Sequence, residues 1–140
     1  MKTYQIFALY SMVFAGLTSV IAKAGLKNVS ADIGLTVRTT FIFVFIWINL
    51  FFFSQMKEFT NVTKKDIFLL GVSGFTTALS WIFYYKAIKI GSVSEVALID
   101  KASIIITLAL SFYFLNEQFT WRIGLGGLMI IGGLLILTIK

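Results

Sequence analysis

The amino-acid sequence predicts an all-α polytopic membrane protein, a bundle of five transmembrane helices with no soluble domain of any size. Three observations carry that prediction. Only 13% of the residues are charged, whereas a soluble domain would carry about a quarter. Hydrophobic residues make up 59% of the chain and mean hydropathy is +0.94. Finally, the five segments 4–22, 33–53, 67–85, 93–115 and 123–139 reach or approach the roughly 20 apolar residues that a membrane crossing requires.

The first segment contains no charged residue. It is long enough to span and lacks a small-residue cleavage site in a polar context, so it is expected to stay as a helix rather than be removed as a signal peptide. Gly25 follows it, where a left-handed C-cap is expected. Asn28 or Ser30 can cap the second helix, which carries Arg38. The longest loop, 54–66, ends in Thr63-Lys64-Lys65-Asp66, and the fourth helix opens with Ser92-Val93-Ser94-Glu95. Both read as capping boxes. Gly91 closes the third helix, again with an expected left-handed cap. The fifth segment is the shortest, with Thr120 as its cap. The fourth carries charges, but neither it nor the fifth has the continuous polar face of a soluble helix. Pro is absent, so no kink is forced. The 140 residues thus read as a single five-helix membrane domain.

Absences narrow the function. There is no Cys, which excludes disulfides, thiolate metal sites and cysteine nucleophiles. There is no His, so the usual proton shuttle and the commonest metal ligand are missing. No nucleophile–base pair remains on which to build an enzyme, and no metal or cofactor is expected. The net charge of +6 does not form a basic face for nucleic acid, because Lys and Arg stand singly between apolar blocks.

Those cations set the expected orientation. One side of a five-span chain holds Lys2, Lys57, Lys64, Lys65 and Arg122; the other holds Lys23, Lys27, Lys86, Lys89 and Lys140. The sides balance. Arg38 and Lys101, inside spans, tip the count slightly towards an inside C-terminus. A balance this close suits either insertion in both orientations with antiparallel pairing, or one orientation fixed by a partner or by the first helix. An odd number of spans would place a fused second copy upside down, giving an inverted-repeat transporter.

The order of short motifs resembles the EamA domain of the drug/metabolite transporter superfamily. Those motifs are Phe83-Tyr84-Tyr85-Lys86-Ala87-Ile88-Lys89-Ile90-Gly91, Leu98-Ile99-Asp100-Lys101-Ala102-Ser103, Phe114-Leu115-Asn116-Glu117-Gln118-Phe119-Thr120, and the glycine-rich run from Ile123-Gly124 to Gly132-Gly133-Leu134-Leu135. Gly25-Leu26-Lys27-Asn28-Val29-Ser30 and Arg38 are similar to that domain's first half. The resemblance covers essentially the whole chain as one unit. Full-length relatives carry two such units, so it implies a half-transporter. The smaller four-helix multidrug-resistance relatives use an acidic residue in the first helix, and this first helix has none.

Polar residues inside the spans fall on narrow stripes: Asp100, Ser103, Thr107 and Ser111; Ser73, Thr77, Ser80 and Tyr84, flanked by Trp81; Gly34, Arg38, Phe45 and Asn49; and Ser11, Ala15, Thr18 and Ala22. Lipid offers these groups no hydrogen bonds, so the stripes should face one another or a watered cavity. Interhelical packing explains small polar residues equally well, and is favoured for the first helix and for the glycines of the fifth. Glu95 and Asp66 read as caps, Glu117 as a loop residue, and Lys86 and Lys89 as snorkelling cations.

Arg38, Asp100 and Lys101 resist the packing explanation. Each costs at least about 2.5–3.5 kcal/mol inside a span, and both helices place them about 10–12 Å from the same side. An Arg38–Asp100 pair would offset the cost. It serves either as a buried structural pair or as a site in which Asp100 takes a proton and Arg38 or Lys101 receives an anionic group. Trp81, Tyr84 and Tyr85 could form an aromatic wall for an organic solute, although Tyr84, Tyr85 and Trp121 equally suit an interfacial belt. The expected substrate-binding set is Trp81, Tyr84, Ser80, Asn49, Ser103 and Thr107.

The expected function is a secondary-transporter half-unit. It would move a small organic metabolite or drug-like solute by alternating access as a homodimer, antiparallel where the chain inserts both ways, in a prokaryotic cytoplasmic membrane. A non-transporting partner subunit of another membrane protein, or a dual-topology ion channel, are the alternatives.

Overall fold

The computed structural model describes residues 2–53 and 56–138. Ile139 at the end of the fifth predicted span and the Lys140 cation lie outside the described residues, as does the side chain of Lys57. Among the described residues every regular element is helical: α1 (Thr3–Gly25), α2 (Ala31–Phe53), a short 3-10 helix (Met56–Asn61), α3 (Lys64–Ile90), α4 (Val93–Asp100), α5 (Ser103–Phe114) and α6 (Trp121–Thr138). Helices cover the described residues of each of the five segments expected to span. α1, α2, α3 and the α4–α5 pair are long and apolar enough to cross a membrane, and α6 is a shorter apolar helix.

The chain divides into two compact units, Met1–Ile90 and Gly91–Lys140. In the first, α2 packs along α3. Its buried core is small: Leu26 (1% exposed), Ala31, Tyr85 and Ile88 (0%). Large apolar side chains such as Phe7, Phe14, Phe45 and Phe68 are exposed along the helices. That is the arrangement expected where hydrocarbon, not water, surrounds the helices and apolar burial drives little.

Local chemistry sets the helix ends. At α3 the full capping box forms: the Asp66 N–H donates to Thr63 Oγ1 (3.2 Å), and the Thr63 N–H donates to Asp66 Oδ2 (3.0 Å). Ser92 Oγ accepts from the Glu95 N–H at 3.3 Å, the hydroxyl half of the box expected at α4. Ser30, rather than Asn28, caps α2 through the Ile33 N–H (3.3 Å), and Thr120 caps α6 through the Ile123 N–H (3.4 Å).

The expected left-handed glycine caps do not form. Gly25 is the last residue of α1 and the cap is Leu26 in right-handed conformation; among the described residues no glycine has positive φ. The left-handed residue is instead Asn116, with φ 53°. There it turns the chain so that the Glu117 N–H reaches back to the Ser111 carbonyl at 3.4 Å. Asn tolerates this conformation because its short polar side chain lowers the steric cost.

The ends of α1 and α3 are closed by lysines rather than glycines. Lys23 Nζ donates to the Ile88 carbonyl (2.5 Å) and the Lys89 carbonyl (3.2 Å) at the end of α3. Lys89 Nζ donates back to the Leu26 carbonyl (2.5 Å) and the Lys27 carbonyl (3.4 Å) just past α1. Each helix supplies the cation that satisfies the other's orphan carbonyls and complements its negative dipole end. Lys89 is therefore anchored, where snorkelling alone was expected. Lys86 stays exposed and lies 3.9 Å from Asp32.

In the second unit both α4 and α5 pack against α6. Gly127 lies at the α5–α6 contact, where an added Cβ would stand 3.2 Å from Leu108 Cδ1 and that side chain would have to give by a few tenths of an ångström. Phe119 folds over Gly124, whose Cβ position its ring occupies. It also meets Phe112 edge to face at 5.3 Å.

Candidate functional site

The first unit places Arg38 on aromatic rings. Its guanidinium carbon lies 4.4 Å from the Trp81 ring centre and 5.7 Å from that of Tyr85. The reason is helical register. Trp81 and Tyr85 are one turn apart on α3 and face the eighth residue of α2. A half-buried guanidinium stacked on an indole gains about 0.5–2 kcal/mol. Tyr85 is 4% exposed, so it belongs to the core beneath Arg38 and not to an interfacial belt.

Two clefts flank this stack. A cleft of about 460 Å³ is lined by Thr18 of α1, Leu26, Gly34 and Arg38 of α2, and Tyr85. A wider cleft of about 960 Å³ runs between α2 and α3, with Thr36, Thr39 and Thr40 facing Ser73, Thr77 and Trp81. Gly34 opens the narrower one: a Cβ there would occupy the place of Leu26 Cδ2.

The expected residues divide accordingly. Trp81 lines the wider cleft. The Tyr84 hydroxyl donates instead to Ser19 Oγ at 2.8 Å, joining α3 to α1. Ser80 and Asn49 are exposed side chains of α3 and α2, outside both clefts. In the second unit, Ser103 and Thr107 do share a cleft, about 680 Å³ in volume, with Lys101 and with Met129 and Gly133 of α6. The Asp100 carboxylate lies 3.4 Å from Lys101 Nζ.

The fourth span is interrupted where these charges sit. Lys101 and Ala102 have 3-10-like backbone angles. The Ala102 N–H bonds the Ile99 carbonyl (2.9 Å), Ile104 bonds Lys101 (3.1 Å) and Ile105 bonds Ala102 (3.0 Å). Such a run of three-residue steps inside a span tightens the helix and re-aims the side chains around it.

Sequence reasoning missed two features. Asp32, in the first turn of α2, lines the wider cleft beside Thr36. Thr36, Thr39 and Thr40 form a hydroxyl face on α2 that the stripe through Arg38 and Asn49 does not contain; their spacing of three and four residues was the available signal. Nor do the hydroxyl stripes need one another. Thr36, Thr39, Thr40 and Thr77 each donate to the carbonyl four residues earlier, at 2.8–3.1 Å. Thr18 does so to Phe14 (2.8 Å) and Thr107 to Ser103 (3.1 Å). The helices satisfy these donors internally, and the oxygens keep lone pairs for a cleft occupant.

Among the described residues, no group of three or more carboxylates, thiols or imidazoles is placed to hold a metal ion. No solved structure matches the chain. A protein of Sinorhizobium sp, named an uncharacterized transporter in the cobO 3′ region, is 31% identical over 138 residues, covering 99% of this chain and 98% of that one. The EamA-like transporter family matches residues 2–139. With its apolar spans, its intramembrane charges and this match, the chain is an integral multi-pass membrane protein of drug/metabolite transporter type, and it belongs to the EamA-like transporter family.

Proposed function

We propose that the protein is a secondary-transporter half-unit, residues 1–140 forming one five-helix domain that moves a small organic metabolite or drug-like solute by alternating access as a dimer. The observation that carries this reading is Arg38, held inside a span on Trp81 and Tyr85 between two clefts. A charge that costs energy in the bilayer is retained beside open space, as a binding group is. Trp81 is the principal solute contact, with Ser80, Tyr84 and Asn49 on the same unit; Ser103 and Thr107 are the proposed contacts of the second unit's own cleft. Arg38, Asp100 and Lys101 carry the charge chemistry, Asp100 as the proton-coupled group. The solute site lies between protomers near the midplane, and the 3-10 step at Lys101 gives the fourth span a place to bend.

The balance of loop cations supports antiparallel homodimers in a prokaryotic cytoplasmic membrane. The same balance fits a non-transporting partner subunit or a dual-topology channel. Paired C-terminal reporters, one active only inside and one only outside, test the assembly. Comparable signal from both, with saturable transport by the purified chain in liposomes, is the expected result. Signal from one reporter alone sinks the antiparallel homodimer and directs attention to an oppositely oriented partner. Flux that fails to saturate points to a channel.

A further inference from the structure

Resting on the transporter reading, we infer that the cleft beside Arg38 binds an organic monoanion, an apolar body carrying one carboxylate. The cleft wall is made largely of aliphatic side chains, among them Ile21, Leu26 and Val37, and among the described residues Arg38 is its one charged group. Thr18 and Tyr85 add the other side-chain polar atoms, and the Thr18 proton is already given to Phe14.

Within its own unit Arg38 is positioned as a receptor rather than as half of an ion pair. Among the described residues of that unit no carboxylate lies in ion-pairing range of it, and Asp32 lies 3.9 Å from Lys86 instead. Its face is taken up by Trp81, which leaves the N–H donors at its rim. Those donors match a carboxylate bidentately, a geometry that an ammonium group cannot supply. An amine is repelled, and a neutral amide forfeits the charge-assisted bonds. The volume, about 460 Å³, suits a small molecule at the lower end of ordinary ligand sites. An anionic lipid headgroup offers related chemistry from another source, so the test separates the two.

The full chain with Trp47→Phe and Trp121→Phe keeps Trp81 as its lone indole. In phosphatidylcholine nanodiscs it is titrated with phenylacetate, phenylacetamide and phenethylammonium while Trp81 emission is followed. Phenylacetate is expected to give a saturable change with affinity at least about tenfold above the other two. Arg38→Gln abolishes that preference, and Arg38→Lys, monodisperse by size exclusion, retains a weakened one. Equal binding of acid and amide, or a preference that survives Arg38→Gln, overturns the inference. An Arg38-dependent change on replacing phosphatidylcholine by phosphatidylglycerol, which phenylacetate does not reverse, assigns the cleft to lipid and also overturns it.

Transport is read separately in liposomes. Uptake of tetraphenylphosphonium without acid selectivity rejects the substrate class while the transporter reading stands. Arg38-dependent binding of phenylacetate without any solute flux upholds the site and rejects the transporter reading.

Discussion

Replacing Lys89 by Met tests the reciprocal lysine closure of α1 and α3. The substitution keeps an apolar stem of similar length and removes the ammonium that donates to the Leu26 carbonyl at 2.5 Å and the Lys27 carbonyl at 3.4 Å. A hydrogen bond to a charged group contributes about 1.5–3 kcal/mol. The second contact is too long to add a comparable increment. The favourable placement of a cation at a helix C-terminus, about 0.3–2 kcal/mol, is largely the same interaction counted another way. Lys89→Met should therefore lower the unfolding free energy by about 1.5–3 kcal/mol, and Lys89→Arg by much less. Lys23→Met should cost a similar amount, since Lys23 donates to Ile88 at 2.5 Å. Either cut frees the same helix ends around the buried Leu26 and Ile88. The double variant should thus fall short of the sum by about 0.5 kcal/mol or more. Reversible unfolding of purified protein in mixed micelles, followed by circular dichroism, measures all four variants after insertion, when topology no longer intervenes. A loss below about 0.5 kcal/mol for Lys89→Met, or Arg no better than Met, would refute the closure.

Three further outcomes are expected. Tyr84→Phe removes the bond to Ser19 but keeps the ring proposed to meet the solute, so it should cost about 0.5–1.5 kcal/mol of stability with KM unchanged; a raised KM in transport would put that hydroxyl on the solute instead. At Asn116, φ 53° means that Gly is tolerated, whereas Val costs about 1–2 kcal/mol, read as a shift in the unfolding midpoint. Asp100→Asn should flatten the pH dependence of uptake, because the proposed coupling proton then has no carboxylate to occupy; an unaltered profile removes Asp100 from coupling.

The two lysines and the aromatic-backed arginine follow one physical rule. Inside or at the edge of hydrocarbon, every polar group must find a partner in the protein. Thr36, Thr40, Thr77 and Ser19 satisfy it with the carbonyl one turn back, and the helix ends satisfy it with cations from a neighbouring helix. Among the described residues of its unit Arg38 finds only ring faces, which is why it stands out as a binding group.

What the sequence by itself determined were the five helices and their starts. Apolar length and capping chemistry act locally, so Thr63–Asp66, Ser92 and Thr120 could be read directly. Arg38, Lys101 and Trp81 were also recognisable, since a charge or an indole deep in a span is conspicuous anywhere. The tertiary structure decided what those side chains touch. Tyr84 and Tyr85 are adjacent in sequence, yet helical geometry points one at Ser19 of α1 and the other under Arg38. It likewise decided that Lys23 and Lys89 would close helix ends expected to use glycine, and that the fourth span would tighten at Lys101. Each depends on which helices lie side by side, and hydrophobic patterning that faces lipid on most sides says little about neighbours.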